Sequence, residues 1–165
     1  MSEKIIHIKT EEDTKQLASD LARVIATLFK QNEDLHLLIS LIGDLGAGKT
    51  TFTRYLLKAL GHLGKVKSPT YALCEPYELT VNEKILSIHH FDLYRMKYAE
   101  EWIDAGFRET FSNPGICLVE WPEKAETSLP QIDASISLSM QDDESRIVKV
   151  HAYSILGNQL IDSLQ

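Results

Sequence analysis

The sequence is poor in the features that mark secreted and membrane-spanning proteins. Its two cysteines, Cys74 and Cys117, match neither the spacing of a metal site nor a disulfide framework, so we expect buried free thiols. No apolar run approaches the length of a membrane span, and the first residues, M-S-E-K, lack a signal-peptide pattern. These absences favour a soluble cytoplasmic protein without a membrane partner.

Positive charge is also scarce. The formal net charge is −7, and the only local basic cluster is Lys65 with Lys67. A protein that grips nucleic acid through its own surface normally shows a basic excess. We therefore do not expect this chain to bind RNA or DNA tightly by itself, and a role near nucleic acid would need a basic partner.

One motif is complete and stands in the context that it requires. Residues 43–50 read G-D-L-G-A-G-K-T, which matches the phosphate-binding pattern G-x-x-x-x-G-K-[ST]. The apolar stretch 35–42 predicts a buried parallel strand before it, and residues 51–60 predict a helix after it that stops at Gly61. Strand, glycine loop and helix together turn backbone N–H groups and a helix N-terminus towards phosphates. The sequence predicts a nucleoside triphosphate site.

The residue types within this loop fit that chemistry. Gly43, Gly46 and Gly48 allow close backbone approach and unusual dihedral angles. Lys49 offers a cation to the terminal phosphates, and the Thr50 hydroxyl suits Mg²⁺.

Two acidic residues are candidates for positioning that ion and its waters. Residues 85–92 and 116–120 are apolar-rich stretches that end in Asp92 and Glu120. The C-terminal ends of parallel strands open onto the crevice where ligands bind. One carboxylate can order metal-bound water while the other orients the attacking water, and the sequence leaves both assignments open. Thr70, in S-P-T, occupies the chain position of a switch threonine that can meet Mg²⁺.

The remaining pattern predicts one α/β domain over residues 1–165. We expect a strand at 4–9, a helix capped by Thr10 and Asp13 that runs to about Gln31, extended segments at 71–77 and 84–91, a helix at 98–111, and a C-terminal hairpin around 141–144. The fold class is therefore a P-loop NTPase-like three-layer sandwich, with a mostly parallel central sheet, antiparallel additions and a C-terminal hairpin.

Two other classes of nucleotide-binding protein are weighed against the motifs. A small-molecule kinase of the P-loop class is the main alternative, but the chain has no R-x-x-x-R or comparable lid cluster. A GTPase would carry N-K-x-D, which is absent. Arginines are few, and Arg95, close to Asp92, is the one that we would test for a catalytic role.

Four segments in order resemble the bacterial TsaE family, formerly YjeE. They are G-D-L-G-A-G-K-T-T at 43–51, K-S-P-T-Y at 67–71, H-F-D-L-Y-R at 90–95 and C-L-V-E-W-P at 117–122. Members of this family are small P-loop ATPases of the machinery that makes threonylcarbamoyladenosine in tRNA. The segment 100–106 departs from the family, which more often has E-L-x-x-x-G there.

The resemblance implies ATP and Mg²⁺ as ligands, ADP as product, and slow hydrolysis by the chain alone. It also implies two partner proteins, TsaB and TsaD, which carry the transfer of the threonylcarbamoyl group to the adenosine beside the anticodon (position 37). The ATPase would support or reset that complex, and tRNA would be met only through the partners. The acidic surface and the scarcity of arginine agree with this picture.

Site residues follow position by position from the motifs and the resemblance. The expected nucleotide contacts are Gly43, Leu45, Gly46, Ala47, Gly48, Lys49, Thr50 and Thr51, with Thr10 and Glu11 as neighbours of the adenine. The expected catalytic set is Lys49, Thr70, Asp92 and Glu120, and the expected Mg²⁺ neighbours are Thr50, Asp92 and Glu120. Trp121 is expected near the nucleotide or a partner, with core packing an equal alternative.

Overall fold

A computed structural model describes residues 2–69 and 72–164. Its strands are β1 (Glu3–Ile8), β2 (His36–Ile42), β3 (Cys74–Val81), β4 (Lys84–Asp92), β5 (Gly115–Glu120), β6 (Ala134–Met140) and β7 (Arg146–Ala152). Its α-helices are α1 (Glu11–Gln31), α2 (Lys49–Ala59), α3 (Glu101–Asp104) and α4 (Ile155–Asp162).

All seven strands form one sheet in the order β1-β7-β6-β2-β5-β4-β3. The central strands β6, β2, β5 and β4 pair in parallel. The outer strands are added by antiparallel pairings, β3 on β4 at one edge and the β7–β1 pair on β6 at the other. The predicted fold class, with its mostly parallel centre, antiparallel additions and C-terminal hairpin, is confirmed.

The central strands bury side chains on both faces of the sheet, as their continuous apolar sequences require. On β2, Leu37 and Ile39 join the core formed with α1, α2 and α4, whereas Leu38 faces the second core, which contains Trp102 and Phe111. Complete burial of one such side chain stabilises the fold by roughly 1.5–3 kcal/mol. Packing on both faces therefore fixes the end of β2, from which the glycine loop leaves.

Helix α1 begins and ends where the sequence predicts, and α2 stops before Gly61 as predicted, although it begins at Lys49, two residues earlier than expected. Thr10 caps α1 in a capping box with Asp13. At the end of α2, Gly61 has a φ of 109° and donates its N–H to Lys58, while the N–H of His62 donates to Leu57 at 2.9 Å. This is a Schellman arrangement, in which a left-handed residue lets the chain satisfy the last helical carbonyls.

The predicted helix at 98–111 is wrong, since only Glu101–Asp104 is helical there. Gly106 adopts a φ of 93°, which ends the helix early. Phe107 and Phe111 reach the second core from outside the helix, and the indole Nε1 of Trp102, in α3, donates to Ser128 Oγ at 2.8 Å. Because aromatic packing and this hydrogen bond hold the segment, the helical spacing of its apolar residues is not expressed as a helix.

Two further observations concern long apolar helices and the two cysteines. Among residues 2–69 and 72–164, no helix is long and apolar enough to cross a membrane. Cys74 and Cys117 are buried free thiols, as expected, and burial raises the pKa of each to about 12.

Candidate active site at the phosphate-binding loop

The glycine loop occupies residues 43–48, between the end of β2 and the start of α2. The residue that precedes α2, Gly48, has a left-handed backbone with a φ of 105°, and no side chain caps the helix. The first N–H groups of an α-helix have no partner within the helix, and they carry the positive end of its dipole. The start of α2 is therefore suited to an anion.

Close packing under the loop requires glycine at its first position. A Cβ atom on Gly43 would lie 2.7 Å from the carbonyl oxygen of Leu138 and 3.0 Å from the Cβ of Ala47. Gly46, by contrast, has open space around it and needs glycine for its φ of 82°. Leu45 projects from the loop and is 70% exposed, whereas Ala47 is buried.

Lys49 is held at the centre of the site. It is only 5% exposed, and its ammonium group donates to the carbonyl oxygen of Gly43. The same nitrogen lies 3.9 Å from the centroid of the Trp121 ring, within the range of a cation–π interaction. The cation is therefore enclosed between the glycine loop and an aromatic face.

The position of Trp121 depends on an unusual backbone. This residue directly follows β5 and adopts φ 58° and ψ 49°, a left-handed conformation that costs a non-glycine residue roughly 1–2 kcal/mol. Its ring packs on the ring of Tyr94, with 4.9 Å between the centroids. The turn places Trp121 over Lys49 as the chain leaves the sheet.

The two predicted acidic residues lie side by side at the ends of neighbouring strands. Asp92 and Glu120 are register partners in the parallel pair β4–β5, and Glu120 also pairs in register with Leu41 of β2, close to the start of the loop. The structure therefore brings Lys49, Asp92 and Glu120 to the same edge of the sheet.

The electrostatic surroundings of the two carboxylates differ. Burial raises the pKa of Asp92 above its usual range, and the negative charge of Glu120 adds to the rise. A hydrogen bond from the N–H of Tyr94 and the electrostatic influence of His90 and Lys49 act in the opposite direction. Glu120 is only 3% exposed, and its Oε2 lies 2.6 Å from Nε2 of His90.

The predicted adenine neighbours, Thr10 and Glu11, line a cavity of about 290 Å³ next to the loop. Gly48 and Thr51 line the same cavity, so the structure joins the N-terminal residues to the phosphate site. Thr50 is half-buried in the first turn of α2. The predicted residue Thr70 lies outside the described residues.

Sequence reasoning missed two side chains of this site. Arg146, at the start of β7, lines the cavity, and its Nε donates to the carbonyl oxygen of Ala47 at 2.7 Å. No local motif marks it, because the contact spans most of the chain. Arg95, the arginine that the sequence favoured, has an exposed side chain. His90 is the second: it opens the segment H-F-D-L-Y-R, and the alternation of β4 puts it on the same side as Asp92, but no role was predicted for it.

Comparison with known proteins shows which family the chain is similar to. The family model described as "Threonylcarbamoyl adenosine biosynthesis protein TsaE" matches residues 8–148. The tRNA threonylcarbamoyladenosine biosynthesis protein TsaE of Haemophilus influenzae is 41% identical over 136 residues, which cover 82% of this chain and 83% of that protein. The protein of the same name from Bacillus subtilis is 35% identical over 148 residues, which cover 90% of this chain and 83% of that protein.

A solved structure extends the similarity to the whole fold. The crystal structure of YdiB from Bacillus subtilis has a TM-score of 0.75 and 28% sequence identity, and the match covers 99% of this chain and 94% of that one. The family match includes the glycine loop, both strand-end acids and Arg146. The chain therefore belongs to the TsaE family.

Proposed function

We propose that this protein binds ATP with Mg²⁺ at the glycine loop and hydrolyses it slowly, in support of threonylcarbamoyl modification of tRNA. One observation carries the nucleotide chemistry: Lys49, at the start of α2, shares one edge of the sheet with the carboxylates of Asp92 and Glu120. The family, whose members are named for threonylcarbamoyladenosine biosynthesis, supports the biological role.

The chain's own groups account for nucleotide binding. The loop amides and the start of α2 bind the phosphates, and Lys49 turns from the carbonyl of Gly43 towards the terminal phosphates. The cavity beside Thr10, Glu11 and Thr51 takes the base and sugar. The buried position of Lys49 limits the access of water to its charge, and its interaction with phosphate is stronger for that reason.

The donor set fits Mg²⁺. A Thr50 hydroxyl and the carboxylates of Asp92 and Glu120 are hard oxygen ligands. The pKa of Asp92 is raised chiefly by burial and to a lesser extent by the negative charge of Glu120, and a cation beside the two carboxylates would offset both effects. Mg²⁺ commonly uses one or two protein carboxylates together with waters and substrate phosphates. When bound, the ion neutralises charge on the phosphate oxygens.

The proposed hydrolysis needs an oriented water and stabilisation of the transferring phosphoryl group. We assign water orientation and metal positioning to Glu120 and Asp92 jointly. An arginine finger raises the rate of such reactions by about 10³–10⁵-fold. Among the described residues, the cation beside the acids is Lys49 and not an arginine, and the Nε–H of Arg146 donates to the carbonyl of Ala47. Because neither group is placed as an arginine finger, we expect slow turnover by the chain alone.

The cellular part of the proposal concerns partners. We infer that TsaB and TsaD carry out the transfer to the adenosine beside the anticodon, and that ATP hydrolysis here supports or resets their complex in the cytoplasm. The formal net charge of −7 supports tRNA contact through these partners, because direct tRNA binding favours a basic surface.

Calorimetric titration with ATP and ADP, with and without Mg²⁺, tests the site. We expect binding by the wild-type protein and at least a tenfold loss of affinity in Lys49→Ala. Lys58→Ala is the matched control, because Lys58 is exposed at the far end of the same helix. No heat from the folded wild-type protein would reject the nucleotide site.

Hydrolysis assays test the activity and separate it from the kinase alternative. We expect slow release of phosphate without any acceptor molecule, and faster release when TsaB and TsaD are added. Equal single-turnover rates with and without the partners would reject partner control. In cells, depletion of this protein should lower threonylcarbamoyladenosine in tRNA, and Lys49→Ala should fail to restore it.

A further inference from the structure

A buried histidine lies behind the proposed catalytic carboxylates. His90 is in β4, two residues before Asp92, and alternation along the strand puts both side chains on the same face. Its Nε2 lies 2.6 Å from Oε2 of Glu120, and both side chains are almost completely buried, with 0% and 3% exposure.

The donor of this hydrogen bond follows from the charge of Glu120. An ionised carboxylate offers only acceptors, so with Glu120 ionised, as the proposed metal chemistry requires, the proton of this hydrogen bond resides on Nε2 of His90. The other ring nitrogen, Nδ1, is buried and has no hydrogen-bond partner among the described residues. An unpaired buried polar atom costs roughly 1–3 kcal/mol. A hydrophobic residue of similar size would avoid that cost, so the histidine is poorly explained by core packing alone.

The hydrogen bond between His90 and Glu120 lies where it can orient a carboxylate of the proposed active site. Glu120 ends the strand adjacent to β2, and it pairs in register with both Asp92 and Leu41. A hydrogen bond to one oxygen of a carboxylate fixes the rotation of the group, as outer partners do for the ligands of metal sites.

We propose that His90 is a positioning residue that holds the Glu120 carboxylate through its Nε2–H, so that Glu120 can act on Mg²⁺ or the attacking water. This inference rests on the proposed nucleotide chemistry. It assigns His90 no contact with the nucleotide and no transfer of a proton.

The test removes the donor and then restores it. His90→Leu keeps an apolar side chain in the space but cannot donate, whereas His90→Gln places an amide N–H near the position of Nε2. Loss of an outer partner typically costs roughly 10–100-fold in activity or metal affinity. We expect kcat to fall by that factor in His90→Leu, with KM for ATP changed by less than about threefold, and to recover largely in His90→Gln.

His89→Gln is the matched control, because His89 is the neighbouring residue, points to the opposite face and is half-buried. Its kcat should equal that of the wild-type protein. A double-mutant cycle adds a second criterion: in a Glu120→Gln background, His90→Leu should cause no further loss of kcat, because both changes remove the same function.

A binding measurement gives a readout that does not depend on turnover. Calorimetry of ADP with and without Mg²⁺ measures how much the ion strengthens binding, and that gain should shrink in His90→Leu while binding of ADP alone is retained. If His90→Leu does not fold, the comparison of His90→Gln with the shorter His90→Asn carries the test, and only the Gln variant should keep kcat.

The possible failures are distinct. A wild-type protein that binds but does not hydrolyse ATP, or does not bind it, rejects the proposed function and this role with it. A hydrolysing wild-type protein whose folded His90→Leu variant keeps its kcat and its Mg²⁺ effect rejects only the role of His90. Full additional loss in the Glu120→Gln background would also reject it, because His90 would then act independently of Glu120.

Discussion

The ammonium nitrogen of Lys49 lies 3.9 Å from the centroid of the Trp121 indole ring, although the two residues are far apart in the sequence. Lys49 begins α2, and Trp121 follows β5 in a left-handed turn. The contact joins the phosphate-binding loop to the strand that carries Glu120. It makes Trp121 a natural reporter of the loop, because a lysine that turns towards phosphate must leave the ring.

This relationship predicts a fluorescence change that belongs to one tryptophan. The chain has only Trp102 and Trp121. Trp102 is buried in the second core, with its Nε1 bonded to Ser128. We expect Mg²⁺ and ADP to change the emission of Trp102→Phe, which retains Trp121, and to leave that of Trp121→Phe unchanged. The opposite assignment of the signal would contradict the geometry.

Arg146 is predicted to support nucleotide binding from the C-terminal hairpin. Its Nε–H bond to Ala47 ties β7 to the glycine loop, and a hydrogen bond from a charged group contributes about 1.5–3 kcal/mol. We expect Arg146→Ala to weaken ADP binding about tenfold in calorimetry, with Arg146→Lys intermediate because lysine keeps only the charge. Arg108→Ala, at an exposed position, is the control; an equal effect there would argue against a specific bond.

Gly43 should not tolerate alanine. The added methyl group would meet the Leu138 carbonyl at 2.7 Å, so the loop must shift. We expect a loss of nucleotide affinity above tenfold together with a lower melting temperature. Gly106→Ala provides the comparison, since that glycine also has positive φ but open space around it. It should cost only backbone strain, about 1–2 kcal/mol of the unfolding free energy, without a change in affinity.

The raised pKa of Asp92 predicts a pH-dependent stability cost. Burial, with a further contribution from Glu120, raises the pKa above its ordinary value of 3.8. The folded state thus binds the proton more tightly than the unfolded state does. The stabilisation by protonation is complete below pH 3.8 and is lost as the pH rises through the folded-state pKa.

We therefore expect Asp92→Asn to be more stable than the wild-type protein at neutral pH in metal-free buffer, with the difference shrinking towards pH 3.8 in denaturant titrations. Asp143 is an exposed control with the opposite sign, because hydrogen bonds from Ser145 lower its pKa. Its Asn variant should not gain stability at neutral pH. A destabilised Asp92→Asn would mean that the carboxylate is well compensated in the fold.

The thiols are predicted to be inert in the folded protein. With the pKa of Cys74 and Cys117 raised to about 12 by burial, very little thiolate exists at pH 8. We expect both to react with Ellman's reagent only after denaturation. Rapid reaction of the native protein would show that the strands β3 and β5 open readily.

Particular residues show how far local pattern reached. The helix cap at Thr10, the glycine stop at Gly61 and the C-terminal hairpin were predictable, because each depends on neighbouring residues. The helix at 98–111 was wrong, because aromatic packing in the second core outweighed helical spacing. Helix α4, capped by Ser154, was missed altogether, since it is short and only Leu160 and Ile161 among its apolar residues are buried in the core, whereas Ile155 is exposed.

The sequence by itself determined the glycine loop with its strand and helix, and it identified Asp92 and Glu120 as strand-end acids, because each is a local pattern of residue types. Only the tertiary structure decided that β5 lies between β2 and β4, and so that these acids are neighbours beside Lys49. It alone brought Arg146 to Ala47 and His90 to Glu120. Such contacts depend on strand order and register, which are set by how the whole sheet buries its two faces and not by any one segment.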